Sequence, residues 1–217
     1  MPKNLHVCLD IGNQTFKIGV FEKKGKKLTL TRFSIERIDF IIGDSLKESK
    51  TRIADKVAGM LSALNIHPAS ASFYLSLPGH LTFTRLLKLP MVDKAKVQQI
   101  VHYEAQQQVP FSLDEVVWDY QILGNPDAEH LHVLLVAMRQ ELISDLLSAF
   151  EVHQIYFKLA LPSPVATQHA FPKQLLTSDF TPAILNMGAR STNLIIFSPQ
   201  TVWIRTIPLG GDSFTME

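Results

Sequence analysis

Two short stretches bring together residue types that can do chemistry. In LHVCLDIGNQTFKIGVF, residues 5–21, an apolar run ends on a carboxylate, Asp10. It then passes through Gly12, Asn13, Gln14 and Thr15, and an alternating segment carrying Lys17 follows. In AILNMGARSTNLIIF, residues 183–197, Asn186 takes the place of Asp10 and Gly188 that of Gly12, while Ser191 and Thr192 supply hydroxyls. Glycine lets a backbone approach a ligand without a side chain in the way, and successive N–H groups in a tight turn form a concavity suited to an anion. Two such hairpins facing each other can cradle the phosphates of a nucleotide. Asp10 would hold the waters of a magnesium ion, which keeps most of its hydration shell and touches one or two carboxylates. Lys17 is placed to reach a phosphate oxygen. A single Asp-x-Gly turn is explained equally well as an ordinary hairpin. Its repetition, each time after a strand-like run, argues for a phosphate site.

Positioning these turns requires strands. Leu5 to Leu9 is continuously apolar and is expected to be a strand buried on both faces. Phe16, Ile18 and Val20 alternate with Lys17, Gly19 and Phe21, and Leu28 and Leu30 with Thr29 and Thr31, which predicts an antiparallel three-stranded meander. The basic run Lys23-Lys24-Gly25-Lys26-Lys27 between them reads as a solvated hairpin turn. Ile53, Val57, Met60, Leu61 and Leu64 share one face of a helix that Ser49 would cap and Asn65 with Pro68 would end.

From residue 70 the pattern changes. Strands are expected at 73–77 and 82–89, then a helix over 93–108 stopped by Pro110. A strand carrying Val116, Trp118, Tyr120 and Ile122, a turn at Asn125-Pro126-Asp127, a strand at 133–137 and a helix bearing Leu142 to Phe150 complete a compact α+β block. The tail returns to the opening style. A strand at 156–160 and a helix after Pro162 lead to a buried strand, 183–187, the second turn, and a strand pair across Ser198-Pro199-Gln200.

Bulk properties exclude several classes. Hydrophobic residues make up 46% of the 217 and charged residues 19%, so a sizeable core is available and wholesale disorder is excluded. A net charge of +1 gives no electrostatic case for nucleic acid or an anionic membrane surface. No run approaches the ~18 apolar residues of a membrane span. The single cysteine, Cys8, has no internal partner, fits a reducing compartment and reads as a buried packing thiol. There is neither a Gly-x-x-x-x-Gly-Lys-Ser/Thr loop nor a Gly-x-Ser-x-Gly elbow. His130 and His132 lack a third ligand nearby and read as surface residues. Trp118 and Tyr120 point the same way from one strand. Such a pair is usually core, but on an open face it would anchor a partner peptide.

The two turns resemble the phosphate loops of the actin-like ATPase superfamily, and the residues between them narrow the likeness. RLLKLPMVDKAKVQQIVHYEAQQQVPFSLDEVVWDYQIL (85–123), HVLLVAMRQELISDLLSAF (132–150) and NMGARSTNLIIFSPQTVWIRTIPLGGDSFT (186–215) resemble the PilM family of type IV pilus assembly proteins, which is related to FtsA. The most specific element is the helix leading into Pro110-Phe111, followed by Leu113 to Val116 and Asp119-Tyr120. The resemblance runs from Leu9 to Thr215. It implies an α/β actin-like fold with an α+β insert. Residues 1–70 and 153–178 would form subdomain 1A, 71–152 the inserted subdomain 1C, and 179–217 the start of subdomain 2A. It further implies a cytoplasmic protein that binds ATP with magnesium between two lobes and reaches the inner membrane only through a partner. In that family the cytoplasmic tail of a PilN-like inner-membrane protein lies in a groove of 1A and 1C, and the protein links the pilus motor complex to it as a scaffold. It is not expected to work as an enzyme beyond weak ATP hydrolysis.

Two departures stand out. Asn186 occupies a position usually held by aspartate, and an amide brings no negative charge toward magnesium or an attacking water. The chain also stops where a helix should follow Gly210-Gly211-Asp212. By the resemblance, this would be a truncated piece without the segment that grips adenosine, its unfinished sheet open to self-association. Two rivals share the fold. Type III pantothenate kinases open with a similar Asp-x-Gly-Asn turn, but phosphoryl transfer needs both acidic groups and has no use for the 71–152 insert. An FtsA-like cell-division adaptor would share the insert, but the Pro-Phe and Asp-Tyr block favours PilM.

Overall fold

The alternating pattern of the first forty residues folds as a meander in the computed structural model, which describes residues 4–40, 49–123, 130–171, 181–198 and 201–215. Strands β1 (Leu5–Ile11), β2 (Thr15–Lys24) and β3 (Lys27–Arg37) pair antiparallel in sequence order. The lysine-rich turn carries Gly25 at φ 62°, a left-handed conformation that glycine adopts without strain. Ala71–Leu77 (β4), expected in the middle block, instead pairs in parallel with β1, and Phe157–Pro162 (β8) pairs in parallel with β4. The resulting five-stranded sheet has the order β3-β2-β1-β4-β8. A strand's own residues do not say which sheet it will join, so this boundary was not readable from the local pattern.

One face of that sheet is core. Val7, Leu9 and Ile11 of β1, Phe16, Ile18 and Val20 of β2, and Phe73, Leu75 and Leu77 of β4 are all buried. Helix α1 (Lys50–Ala63) buries Ile53, Val57, Met60 and Leu61, as its spacing requires. It ends where Asn65 turns left-handed at φ 53° and Ile66 donates its N–H to the Leu61 carbonyl (2.9 Å). Helix α3 (Gln140–Glu151) buries Ile143, Leu146 and Phe150, and the Phe150 ring meets Phe157 edge-on at 5.0 Å.

The opposite face of β1 corrects an expectation: the strand is buried on one face only. His6 and Asp10 are half-buried and Cys8 is exposed. The surrounding sheet still desolvates the thiol enough to raise its pKa above the usual cysteine range. Cys8 is therefore accessible but not activated. In the folded chain its alkylation by iodoacetamide is expected to rise at higher pH than in the urea-unfolded chain. Mass-spectrometric quantification against pH reads this directly, and an earlier rise in the folded chain would contradict it.

The chain divides into two compact units, residues 1–78 with 142–163, and residues 79–141 with 164–217. The second unit holds two three-stranded sheets. In one, β5 (Phe83–Pro90) and β6 (Val116–Ile122) flank β7 (His130–Arg139), both antiparallel to it. Helix α2 (Lys94–Gln108) packs Val97, Val101 and Ala105 onto Leu87, Leu89, Val116, Val133, Leu135 and Ala137. Val109 after it is extended, as the residue before Pro110 must be. The expected turn at 125–127 lies outside the described residues. In the other sheet, β10 (Thr192–Phe197) lies between β9 (Ala183–Met187) and β11 (Val202–Ile207). Residues 199–200 of the turn between β10 and β11 also lie outside the description. Strand β9 is not buried as expected. It is an edge strand with Leu185 and Met187 more than half exposed.

Inside this unit a polar joint fixes the start of β5. Gly79 lies so close to β10 that a Cβ on it would stand 2.6 Å from Asn193 Oδ1 and 3.1 Å from Pro164 and from the Thr206 hydroxyl oxygen. That hydroxyl donates to Asn193 Oδ1 (2.8 Å), and Asn193 is buried. Helix α4 (Ser163–Ala170) supplies Pro164. A buried amide oxygen that is hydrogen-bonded in this way avoids the desolvation cost of an unpaired one.

Candidate functional site

The repeated turns have the same backbone geometry. In the first unit Ile11 pairs with Phe16, so Gly12 to Thr15 form a four-residue connection closed by the Gly12 N–H on the Thr15 carbonyl (3.1 Å). In the second unit Met187 pairs with Thr192, and Gly188 to Ser191 form the same connection, closed by the Gly188 N–H on the Ser191 carbonyl (2.9 Å). Close approach favours glycine at both places, more severely at Gly12 than at Gly188. A Cβ would stand 2.8 Å from the Thr15 oxygen at Gly12 and 3.0 Å from the Ser191 oxygen at Gly188. The repeat legible in the sequence is thus a repeat of hydrogen bonding.

In the first turn the carboxylate is held from two sides. Asp10 Oδ2 accepts from Lys17 Nζ (3.0 Å), opposite it in the β1–β2 register, and Oδ1 accepts from the Ser76 hydroxyl (2.8 Å) on parallel β4. Asp10 and Lys17 keep 38% and 40% of their side-chain exposure, so the pair adds at most about 1 kcal/mol to stability. That exposure leaves the carboxylate within reach of a cation from solvent. Asn13 Oδ1 is buried and finds no hydrogen-bond partner. A lone acceptor oxygen of this kind suits a donor such as a metal-bound water, whereas an anion would be met by the backbone N–H groups of the turn. Asp10, Gly12, Asn13, Gln14, Thr15 and Lys17 therefore come together, and Ser76 joins them. Nothing in the sequence pointed to Ser76, which is brought in by strand pairing across 66 positions.

The second turn is built differently behind the same backbone. Helix α5 (Gly211–Thr215) sits on it: the Gly211 N–H donates to the Gly188 carbonyl (2.8 Å) and the Asp212 N–H to the Ala189 carbonyl (2.9 Å). Gly210 presses so closely on the turn that a Cβ there would overlap the Ala189 carbonyl and the Arg190 nitrogen. Thr192, expected to offer its hydroxyl outward, is buried and donates it to the Leu209 carbonyl (2.7 Å). Asn186 is exposed on β9 and Ser191 half-buried. The Gly210-Gly211 pair was the available sequence signal for this support.

Trp118 and Tyr120 stack on each other with ring centres 6.5 Å apart. They pack against the core beneath α2, with Trp118 5.7 Å from His102. Both are half-buried: part of each ring packs on this sheet and the rest stays open to solvent. Among the described residues no group of three or more His, Cys, Asp or Glu is placed to hold a metal ion, and no helix is long and apolar enough to cross a membrane.

A family model described as type IV pilus assembly protein PilM matches residues 8–217. A solved PilM–PilN type IV pilus biogenesis complex is similar with a TM-score of 0.84 at 21% identity, over 99% of this chain and 65% of that one. The cytoplasmic domain of EpsL, an inner-membrane component of the type II secretion system of Vibrio cholerae, is similar with a TM-score of 0.57 at 9% identity, over 93% of this chain and 71% of that one. A Bacteroides thetaiotaomicron protein of unknown function with an actin-like ATPase fold is similar with a TM-score of 0.51 at 6% identity, over 99% and 74%. The fold is that of the actin-like ATPases. This chain spans about two thirds, 65%, of the length of the first of these structures.

Proposed function

The chain belongs to the PilM family of type IV pilus assembly proteins, and from that premise we propose that it works as a nucleotide-responsive scaffold of the pilus inner-membrane complex. Its partner in this reading is the cytoplasmic tail of a PilN-like membrane protein, which is supported by the fold's similarity to a solved PilM–PilN complex. The protein stands on the cytoplasmic side and meets the membrane through that partner. Subdomains 1A, 1C and 2A are the expected division, with β4 in the first of them. The observation that carries the nucleotide part is the pair of glycine turns closed by the same hydrogen bond.

ATP with magnesium would be held by these turns. Gly12 and Gly188 would leave backbone open to phosphate, Lys17 would be free to pair with a phosphate oxygen, and Asp10 would face the waters of the metal, one of which could donate to the buried Asn13 oxygen. When bound, the metal would supply positive charge against the phosphates. Asn186 contributes a hydrogen bond without charge, which favours holding nucleotide over hydrolysing it.

The test is calorimetric titration of the chain with a PilN-like tail peptide, with and without Mg-ATP. Micromolar binding of the peptide, altered by Mg-ATP, is expected. Absence of binding under both conditions would overturn the scaffold and turn attention to pantothenate phosphorylation.

A further inference from the structure

We propose that the second unit also carries a docking site for an acidic, extended peptide segment of a partner protein, over the cavity between β5 and β11. This goes beyond the scaffold reading and needs neither nucleotide nor the membrane-protein tail. The two strands are the outer strands of their sheets, so among the described residues each has one side without a ladder partner. The cavity between them is about 290 Å³. Leu86, Leu134, Val202 and Ile204 give it apolar lining, with Leu134 buried, while Arg85, Trp203 and Arg205 stand exposed around it.

The charge of this lining selects the occupant. Among the described residues neither Arg85 nor Arg205 has a carboxylate partner. The Arg205 guanidinium instead lies 5.8 Å from the Trp203 ring centre, within cation–π range. Incoming carboxylates would meet the two guanidinium forks without displacing an internal partner, and guanidinium–carboxylate pairing is bidentate and directional. The apolar lining between them asks for an aliphatic or aromatic side chain. Side chains two apart on an extended segment share a face, so acid, apolar and acid residues at alternate positions would answer the arginines and the cavity together. Unpaired edge strands are where such segments add by backbone hydrogen bonds, and Trp and Arg are the residues on which binding energy concentrates. A small anion would satisfy the arginines and leave the apolar lining wet.

The test is selection of a displayed random heptapeptide library on the immobilised chain, then anisotropy titration of enriched peptides against the unaltered chain, Arg85→Ala, Arg205→Ala and Arg205→Lys. Enrichment of peptides with Asp or Glu flanking Leu, Ile or Phe is expected. Their affinity should fall at least tenfold in each alanine variant, less in the lysine variant, and steadily with added salt. If an alanine variant misfolds by circular dichroism, the lysine variant and the salt series on the unaltered chain read the same contact. The proposal fails if acidic peptides are not enriched, if they bind both alanine variants undiminished, or if a thymidine dodecamer binds more tightly through the same arginines.

Discussion

Gly210→Ala is expected to destabilise the second unit by about 3 kcal/mol and to unseat α5 from the turn beneath it. Overpacking usually costs about 1–3 kcal/mol because neighbours can give way. Here the atoms a Cβ would meet belong to the backbone of Ala189 and Arg190. That segment is pinned by two N–H bonds from Gly211 and Asp212 and by the Thr192 hydroxyl on Leu209, so the upper end of the range applies. Urea unfolding monitored by circular dichroism measures the loss, and hydrogen exchange at the Gly211 and Asp212 amides shows whether their bonds have opened. Gly59→Ala is the matched control. That glycine lies within α1 with open space where its Cβ would go, so alanine there should gain up to about 1 kcal/mol. Equal effects from the two substitutions would contradict the account.

Asp10→Asn should weaken Mg-ATP binding at least tenfold, about 1.4 kcal/mol, and abolish the advantage of adding magnesium. The amide is nearly the same shape: its oxygen can still accept from Lys17 while its NH2 donates to the Ser76 hydroxyl oxygen, so the turn keeps its geometry and loses a charge. Thermal unfolding should barely move, because an ion pair this exposed adds little to stability. The readout is therefore a contrast between two titrations, with magnesium and with chelator, on a variant shown to be folded. If magnesium still improved binding as much as before, Asp10 would not be the group that faces the metal.

The hairpins were legible because glycine, polar turn residues and alternating strands write their geometry locally. The face of α1 was legible for the same reason, since Ile53, Val57, Met60 and Leu61 fall on one side at any helix of ordinary pitch. What escaped depends on distant pairing. The run Leu5 to Leu9 is equally apolar whether one face or both are covered, so the exposure of Cys8 could not be read from it. The placement of β4 beside β1 follows from a parallel register, and Ser76 reaches Asp10 only through that register. Thr192 looked like a ligand because it follows Ser191 in a polar turn. Its inward rotamer toward Leu209 is set by a segment 17 positions on.

The two glycine turns share one backbone and differ at the residue two places before the glycine, aspartate in one and asparagine in the other. Geometry and polarity are thus specified by separate positions. Selection can raise or lower the charge offered by such a turn through a single codon while the hairpin folds as before. Duplicated halves are then free to diverge in chemistry long before they diverge in shape.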